Sequence, residues 1–453
     1  MHRVSNSYYA PATRTRGRVA IIGAGTAGLS SAIAHVEHGY EVTLIEASHR
    51  LGGRAWARIR DRIDNGPHVL LGGYRGFRRL LRTIGSEKGF DQRPSLELSY
   101  LLRGGKLLRL KSSTKVPAPL HLGAALLQVE GLDISGGLDL LFSAFATFAL
   151  APRPEETVLD WAKRRSLGEW SQRIYLEPLC RAVMNAEPEQ ASAKLFVATL
   201  REAFSGNHGH SAMWVPKRSW HALLHEPSLR YCERHHVQLR LGDRVRSLVP
   251  GEKAPKIVMS NGEHLSQWDR VVLATPWGAA KRLLGEMPEA KGLGEIKRSP
   301  IVTVHFEIPE KDLGFRDPIV ALVGGAPFHF ICRRSAGDGY ARQRSPVSLL
   351  AGAATSLDGI PGREIAVLAA QQLASWLGRK SPFPIDTVEN AKVIRESAAT
   401  IMPEPGVEAR RPAPGPSSLP GLWLAGDWCD VGLPSTLEGA ARSAFAPFDR
   451  GLA

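Results

Sequence analysis

Apolar residues fall along this chain in two ways: short unbroken aliphatic runs, and longer stretches where they return every three or four positions. Residues 19–22 (Val-Ala-Ile-Ile) are such a run and predict a strand buried on both faces, as in a parallel sheet. A helix is predicted over 27–38, stopped by Gly39, and a second strand over 41–45. Residues 100–103 and 106–110 flank Gly104-Gly105 and read as a hairpin. The alternation at 237–245, the runs at 256–260 and 271–276, and the Asn261-Gly262 turn predict strands with a hairpin. Residues 301–306 alternate again, and 365–377 form an amphipathic helix. A Pro- and Arg-rich connector, 403–420, leads to a last apolar strand at 422–427 and a helix opening within 432–443.

The turn after the first strand carries chemistry. Gly23, Gly25 and Gly28 give G-x-G-x-x-G between a strand and a helix. The first glycine permits the tight turn, the second a close approach to a pyrophosphate, and the third close helix packing. The helix start, with Thr26 and Ala27, offers unpaired N–H groups and a positive dipole end to phosphates. Glu46 ends the second strand 18 residues past Gly28, where a carboxylate accepts hydrogen bonds from an unphosphorylated ribose.

Composition narrows the picture. With 453 residues, 43% of them hydrophobic and 23% charged, the chain suits two globular domains. A net charge of +14 favours anionic partners. No basic block with interleaved aromatics points to nucleic acid, so an acidic membrane face is the expected anionic partner. Cys180, Cys232, Cys332 and Cys429 are widely spaced, which indicates neither a zinc site nor a disulfide framework and suits a reducing cytoplasm. No metal site is expected. Residues 1–17 hold Arg14 and Arg16 without an apolar core, and are expected to be a flexible tail rather than a secretory signal. Residues 138–151 are apolar apart from Asp139, too short for a span of ~20 residues, and read as a buried or interfacial helix.

Gly52-Gly53-Arg54, just past the second strand, resembles the amine oxidase/phytoene desaturase superfamily of FAD enzymes. The resemblance implies FAD rather than NAD, with Gly53 and Arg54 at its phosphates, Val245 touching the adenine through its backbone, and Gly426-Asp427 on the ribityl or phosphate side. It also implies that the helix start at Thr436 and Leu437 meets the electron-rich edge of the flavin. The stretches Asp64-Asn65-Gly66-Pro67-His68 through Tyr74, and Glu177-Pro178-Leu179-Cys180 through Asn185 and Ala191-Ser192-Ala193, resemble the bacterial hydroxysqualene dehydroxylases. Pro67 stands where that family usually has glutamine.

The expected fold is therefore α/β. A Rossmann-type, glutathione reductase-like FAD-binding domain is built from both chain ends (18–85, 215–290 and 391–453). A mixed-sheet and helical substrate domain takes 86–214 and 291–390. The resemblance implies reductive removal of the hydroxyl of hydroxysqualene, giving squalene for hopanoid synthesis. A long isoprenoid substrate, upstream squalene-synthase-like enzymes and a peripheral place on the inner face of the cell membrane go with it. Asn65, Tyr74, Glu177 and Asn185 are expected at the substrate cavity. His68 and Glu438 are the candidate proton donors, each beside a presumed flavin-facing segment. A carotenoid or phytoene desaturase, or an amine oxidase, would use the same fold. A non-enzymatic flavin module would not need the long apolar middle region.

Overall fold

The computed structural model describes residues 15–58, 63–116, 120–127, 129, 132–204, 206–333 and 344–452. The expected tail falls outside these residues up to position 14. A six-stranded sheet is centred on Arg18–Ile22. On one side lie Glu41–Glu46 and then Gln238–Leu241; on the other lie Arg270–Leu273, Leu422–Leu424 and Gly415–Pro416. All pairings are parallel except the last. The unbroken apolar runs are explained by burial of both faces. Val19 and Ile21 join a core with the helices Thr26–Glu37 and Leu437–Asp449, while Ala20 and Ile22 join a second core with Ile257 and Met259. Those two residues belong to a small antiparallel sheet, Val245–Val249, Lys256–Met259 and His264–Leu265. The Asn261-Gly262 turn forms, but it joins 256–259 to 264–265, and the expected partner run 271–276 enters the parallel sheet instead.

A seven-stranded mixed sheet forms the other half of the molecule. Its order is Lys392–Ile401, Arg298–Pro309, Arg344–Ala351, Phe330–Arg333, Ile319–Leu322, Glu97–Leu101 and Leu107–Lys111. One pairing, Ile319–Leu322 with Glu97–Leu101, is parallel. Helix Gly362–Trp376 buries Ile365, Ala369 and Leu373 against Val304, Phe306, Ile331 and Leu349 of this sheet. The hairpin expected around Gly104-Gly105 forms as Glu97–Leu101 and Leu107–Lys111. The expected domain border at 391 falls too early. Lys392–Ile401 pairs with Arg298–Pro309, Thr303 opposite Ile394, and so belongs to the substrate-side sheet. The twelve-residue strand Arg298–Pro309 has two open edges, and 392–401 fills one of them.

Candidate functional site

The glycine turn is built by contact, not by composition. Gly23 has φ +104°, and a Cβ there would lie 2.6 Å from the Ala274 carbonyl oxygen. A Cβ on Gly28 would lie 1.8 Å from the Gly23 oxygen, so the helix can sit on the turn only if this residue is glycine. Gly25 faces Gly53, where a Cβ would come within 2.9 Å of the Gly25 Cα. The Gly52 N–H donates to Ala24 O at 2.8 Å and locks the two loops together. Between them runs a wall of bare backbone, with the N–H groups of the first helical turn, Thr26, Ala27 and Gly28, lacking intrahelical acceptors. Glu46 closes one end. Its carboxylate accepts from the N–H groups of Ala24 and Ser48, both at 2.8 Å. The Asp243 N–H donates to Glu46 O at 3.0 Å, which brings Val245 beside this end two residues later.

The C-terminal segment closes the other end. Arg54 Nη2 donates to Asp427 Oδ1 at 2.5 Å, and Nη1 donates to Ala399 O at 2.8 Å. Ser435 Oγ donates to the other Asp427 oxygen. The Gly426 N–H donates to Ser443 Oγ at 2.8 Å, and Thr436 caps the helix beginning at Leu437 by accepting from Gly439 N at 3.1 Å. Buried Arg411, which sequence reading did not single out, holds the loop between them. It donates to the carbonyls of Asp427, Cys429 and Leu433. Two segments 373 residues apart thus meet in one ion pair.

Beside this ion pair lies a polar cluster. Asn65 Nδ2 donates to Arg54 O at 2.7 Å and to Glu396 Oε1 at 3.1 Å, while Trp56 Nε1 donates to the same Glu396 oxygen at 2.8 Å. His68 Nε2 lies 3.0 Å from Asn65 Oδ1, an arrangement that assigns the proton to Nε2. Desolvation, helped by the Arg54 cation, pushes the His68 imidazole down to about 4. It is therefore neutral near pH 7 and is no ready acid, contrary to its expected role as proton donor. Glu396 and Trp56 are the members of this cluster that the sequence does not mark. Residues 391–401 are expected in the FAD-binding domain rather than in the seven-stranded sheet, and no spacing signal ties Glu396 to Asn65.

Glu438 is corrected more firmly. It is buried, and its two oxygens accept from Gly76 N at 3.0 Å and Phe77 N at 2.9 Å, with Arg442 Nη2 at 2.9 Å. It is the anion at the start of helix Arg75–Thr83, not a group aimed at substrate. Tyr74, the residue before that helix, packs against the cofactor-side core, and burial pushes its hydroxyl pKa up, with the Glu438 and Glu202 carboxylates adding to the effect. Glu177 pairs with Arg181 at 3.2 Å, which also pairs with Glu187 at 2.7 Å. Asn185, with φ +51°, donates to Ser299 O and Thr400 Oγ1 and accepts from Ala353 N. It joins the helix Glu177–Met184 to the seven-stranded sheet. That helix reaches an apolar cavity through Leu179 instead.

This cavity lies between the hairpin and the helices of the middle region. Leu96, Leu98, Tyr100, Leu140, Phe148 and Leu179 are among the residues that line it, and its wall is almost wholly apolar. Six buried hydroxyls have no hydrogen-bond partner among the described residues, and Thr275 Oγ1 and Thr303 Oγ1 are two of them. Thr275 adjoins Gly23, its N lying 3.1 Å from where a Gly23 Cβ would be, and Thr303 Oγ1 lies 3.5 Å from the equivalent point on Gly66. The unpaired hydroxyl of Thr275, beside a bare-backbone phosphate cradle, fits a bound polar cofactor.

Parallel sheet, glycine cradle, terminal carboxylate and the ion pair from the far end together make a dinucleotide-binding protein. The model of the family described as flavin containing amine oxidoreductase matches residues 26–446, and the chain belongs to that family. It is a flavin-dependent oxidoreductase. The hydroxysqualene dehydroxylase of Rhodopseudomonas palustris is 28% identical over 447 residues, covering 94% of this chain and 96% of that protein. That of Sinorhizobium fredii is 27% identical over 448 residues, with the same coverage. Among solved structures, cyclohexylamine oxidase from Brevibacterium oxydans superposes with a TM-score of 0.65 at 16% identity, over 96% of this chain and 99% of that one.

Proposed function

We propose that the chain binds FAD and removes the hydroxyl group of hydroxysqualene to give squalene. Gly25, Gly53 and the Thr26–Gly28 N–H groups would hold the pyrophosphate, Glu46 the adenosine ribose, and Arg54 with Asp427 the central part of the cofactor. When bound and reduced, the flavin would supply the hydride that takes the place of the hydroxyl, which would leave as water after taking one proton from solvent. The chain's own residues bind the substrate, orient it and exclude water. The apolar wall holds a hydrocarbon by area, at ~25 cal/mol per Å² buried. The Trp56–Glu396–Asn65–His68 network fixes the 65–68 segment, so that a neutral imidazole rather than a cation stands near the site.

End-to-end similarity to hydroxysqualene dehydroxylases carries this reading, and the small apolar cavity agrees with it. An amine oxidase has to desolvate and hold a polar amine, whereas leucines and aromatics dominate this lining. The test is anaerobic incubation of the flavin-loaded, chemically reduced protein with hydroxysqualene in detergent micelles, with products read by mass spectrometry. Squalene is the expected product. Its absence, with turnover of an amine or of phytoene under oxidising conditions, would overturn the reading.

A further inference from the structure

Helix Ile134–Ala149 has two apolar faces. Leu140, Ala144 and Phe148 point inward and line the cavity. Ile134, Leu138, Phe142 and Phe145 point outward and are 82%, 54%, 45% and 59% exposed. Their spacing of four, four and three places them on one stripe. Among the described residues, ten large hydrophobic side chains are exposed, and five of them, these four and Leu127, fall within 127–145. The helix carries one charged residue, Asp139, and it is turned inward, accepting from the N–H groups of Gly168 and Ser171 at 2.9 Å. The outward face thus presents no charge to water.

We propose that this face docks the protein on the surface of a lipid bilayer, with the opposite face of the same helix backing the apolar cavity. The proposal rests on the hydrocarbon-substrate reading above. Four observations select a bilayer as the occupant. The helix has 16 residues, fewer than the ~20 needed to cross a membrane, so it suits the interfacial plane. No helix among the described residues is long and apolar enough to span one. A single helical stripe offers on the order of a few hundred Å², well short of the roughly 800 Å² per partner that a stable dimer buries. The net charge of +14 has the sign that anionic lipid headgroups attract. Docking in this orientation puts the cavity one helix thickness from the phase in which a long isoprenoid resides.

The test is flotation of the flavin-loaded protein with vesicles of phosphatidylcholine and phosphatidylglycerol, compared with phosphatidylcholine alone. The wild type is expected to float with both, and more with the anionic mixture. The double variant Phe142→Ser, Phe145→Ser and the single variant Ile134→Glu are expected to lower vesicle binding at least tenfold. Both should keep wild-type flavin content and turnover in detergent micelles, and lose turnover only of substrate presented in vesicles. Ile134 is so exposed that its change leaves folding intact even where the double variant is unstable. A wild type that stays with the aqueous fraction, or an Ile134→Glu protein that floats unchanged, would overturn the proposal. So would variants that turn a dimer into a monomer without altering flotation. Failure of turnover in micelles, by contrast, would count against the substrate reading and not against docking.

Discussion

The cofactor half and the substrate half of this molecule are made by different means. The cradle is mostly backbone: two loops approach so closely at Gly25 and Gly53 that a side chain on Gly53 would strike the Gly25 backbone, and the donors are peptide N–H groups. The cavity is mostly side chains, gathered from the hairpin, the Ile134–Ala149 helix, the Glu177–Met184 helix and Phe204. A backbone site depends on a few positions and fails outright when one is changed. A side-chain wall is redundant and changes by degrees.

The sharpest way to break this contrast is Gly28→Val. Its Cβ would collide with the Gly23 carbonyl, and the account expects the protein to lose bound flavin, with at least a tenfold fall in visible absorbance per chain. Retained yellow colour would show that the cradle is not where the cofactor binds. Next in size is Glu438→Ala. It leaves the buried N–H groups of Gly76 and Phe77 and the Arg442 guanidinium without an anion. A loss of about 3 kcal/mol in urea unfolding is expected. Glu438→Gln should recover part of this, and the folded fraction of either variant should turn over within about twofold of wild type. Abolished turnover in well-folded Glu438→Gln would restore it as a proton donor.

On the substrate side, Leu179→Gln introduces an amide into the apolar wall. Flavin content should be unchanged while KM rises by about tenfold, the cost of desolvating the amide. A further effect is expected in acid. The His68 imidazole binds its proton near 6.5 when unfolded and near 4 when folded. Its contribution to stability is therefore complete above pH 6.5, is lost as the pH falls towards 4, and changes no further below that. His68→Phe should flatten this limb in urea midpoints measured between pH 7 and pH 4. His35 and His329, both pushed down to about 3 by burial, will keep part of it.

The same contrast explains what could be read from the residues alone. The strand–turn–helix at 18–37, the acid at Glu46 and the return of the chain at 422–427 are local patterns with fixed spacing, and all appear where expected. Local patterning also predicted the 97–111 hairpin. It did not reveal partners far apart in the chain. Lys392–Ile401 has no sequence mark that sends it to the substrate-side sheet, because its assignment depends on an open edge of Arg298–Pro309. Glu438 reads as a flavin-side acid because its segment is presumed to face the flavin, yet its partners are the backbone of residues 76 and 77, about 360 positions away. Asn185 and Glu177 were expected to face substrate, but Asn185 is held in the left-handed region by carbonyls and hydroxyls of the sheet and Glu177 pairs with Arg181.

The central claim is that both extremities of the chain hold one flavin, and the ion pair of Arg54 with Asp427 is where they meet. Titration of FAD into flavin-stripped wild type, Arg54→Ala, Asp427→Ala and the double variant, followed by flavin fluorescence, tests it most directly. The account predicts one site per chain, a loss of affinity of at least tenfold in each single variant, and a double variant weakened by less than the product of the two. Wild-type affinity in Asp427→Ala, with Gly28→Val still unable to bind, would mean that the N-terminal segment holds the cofactor alone.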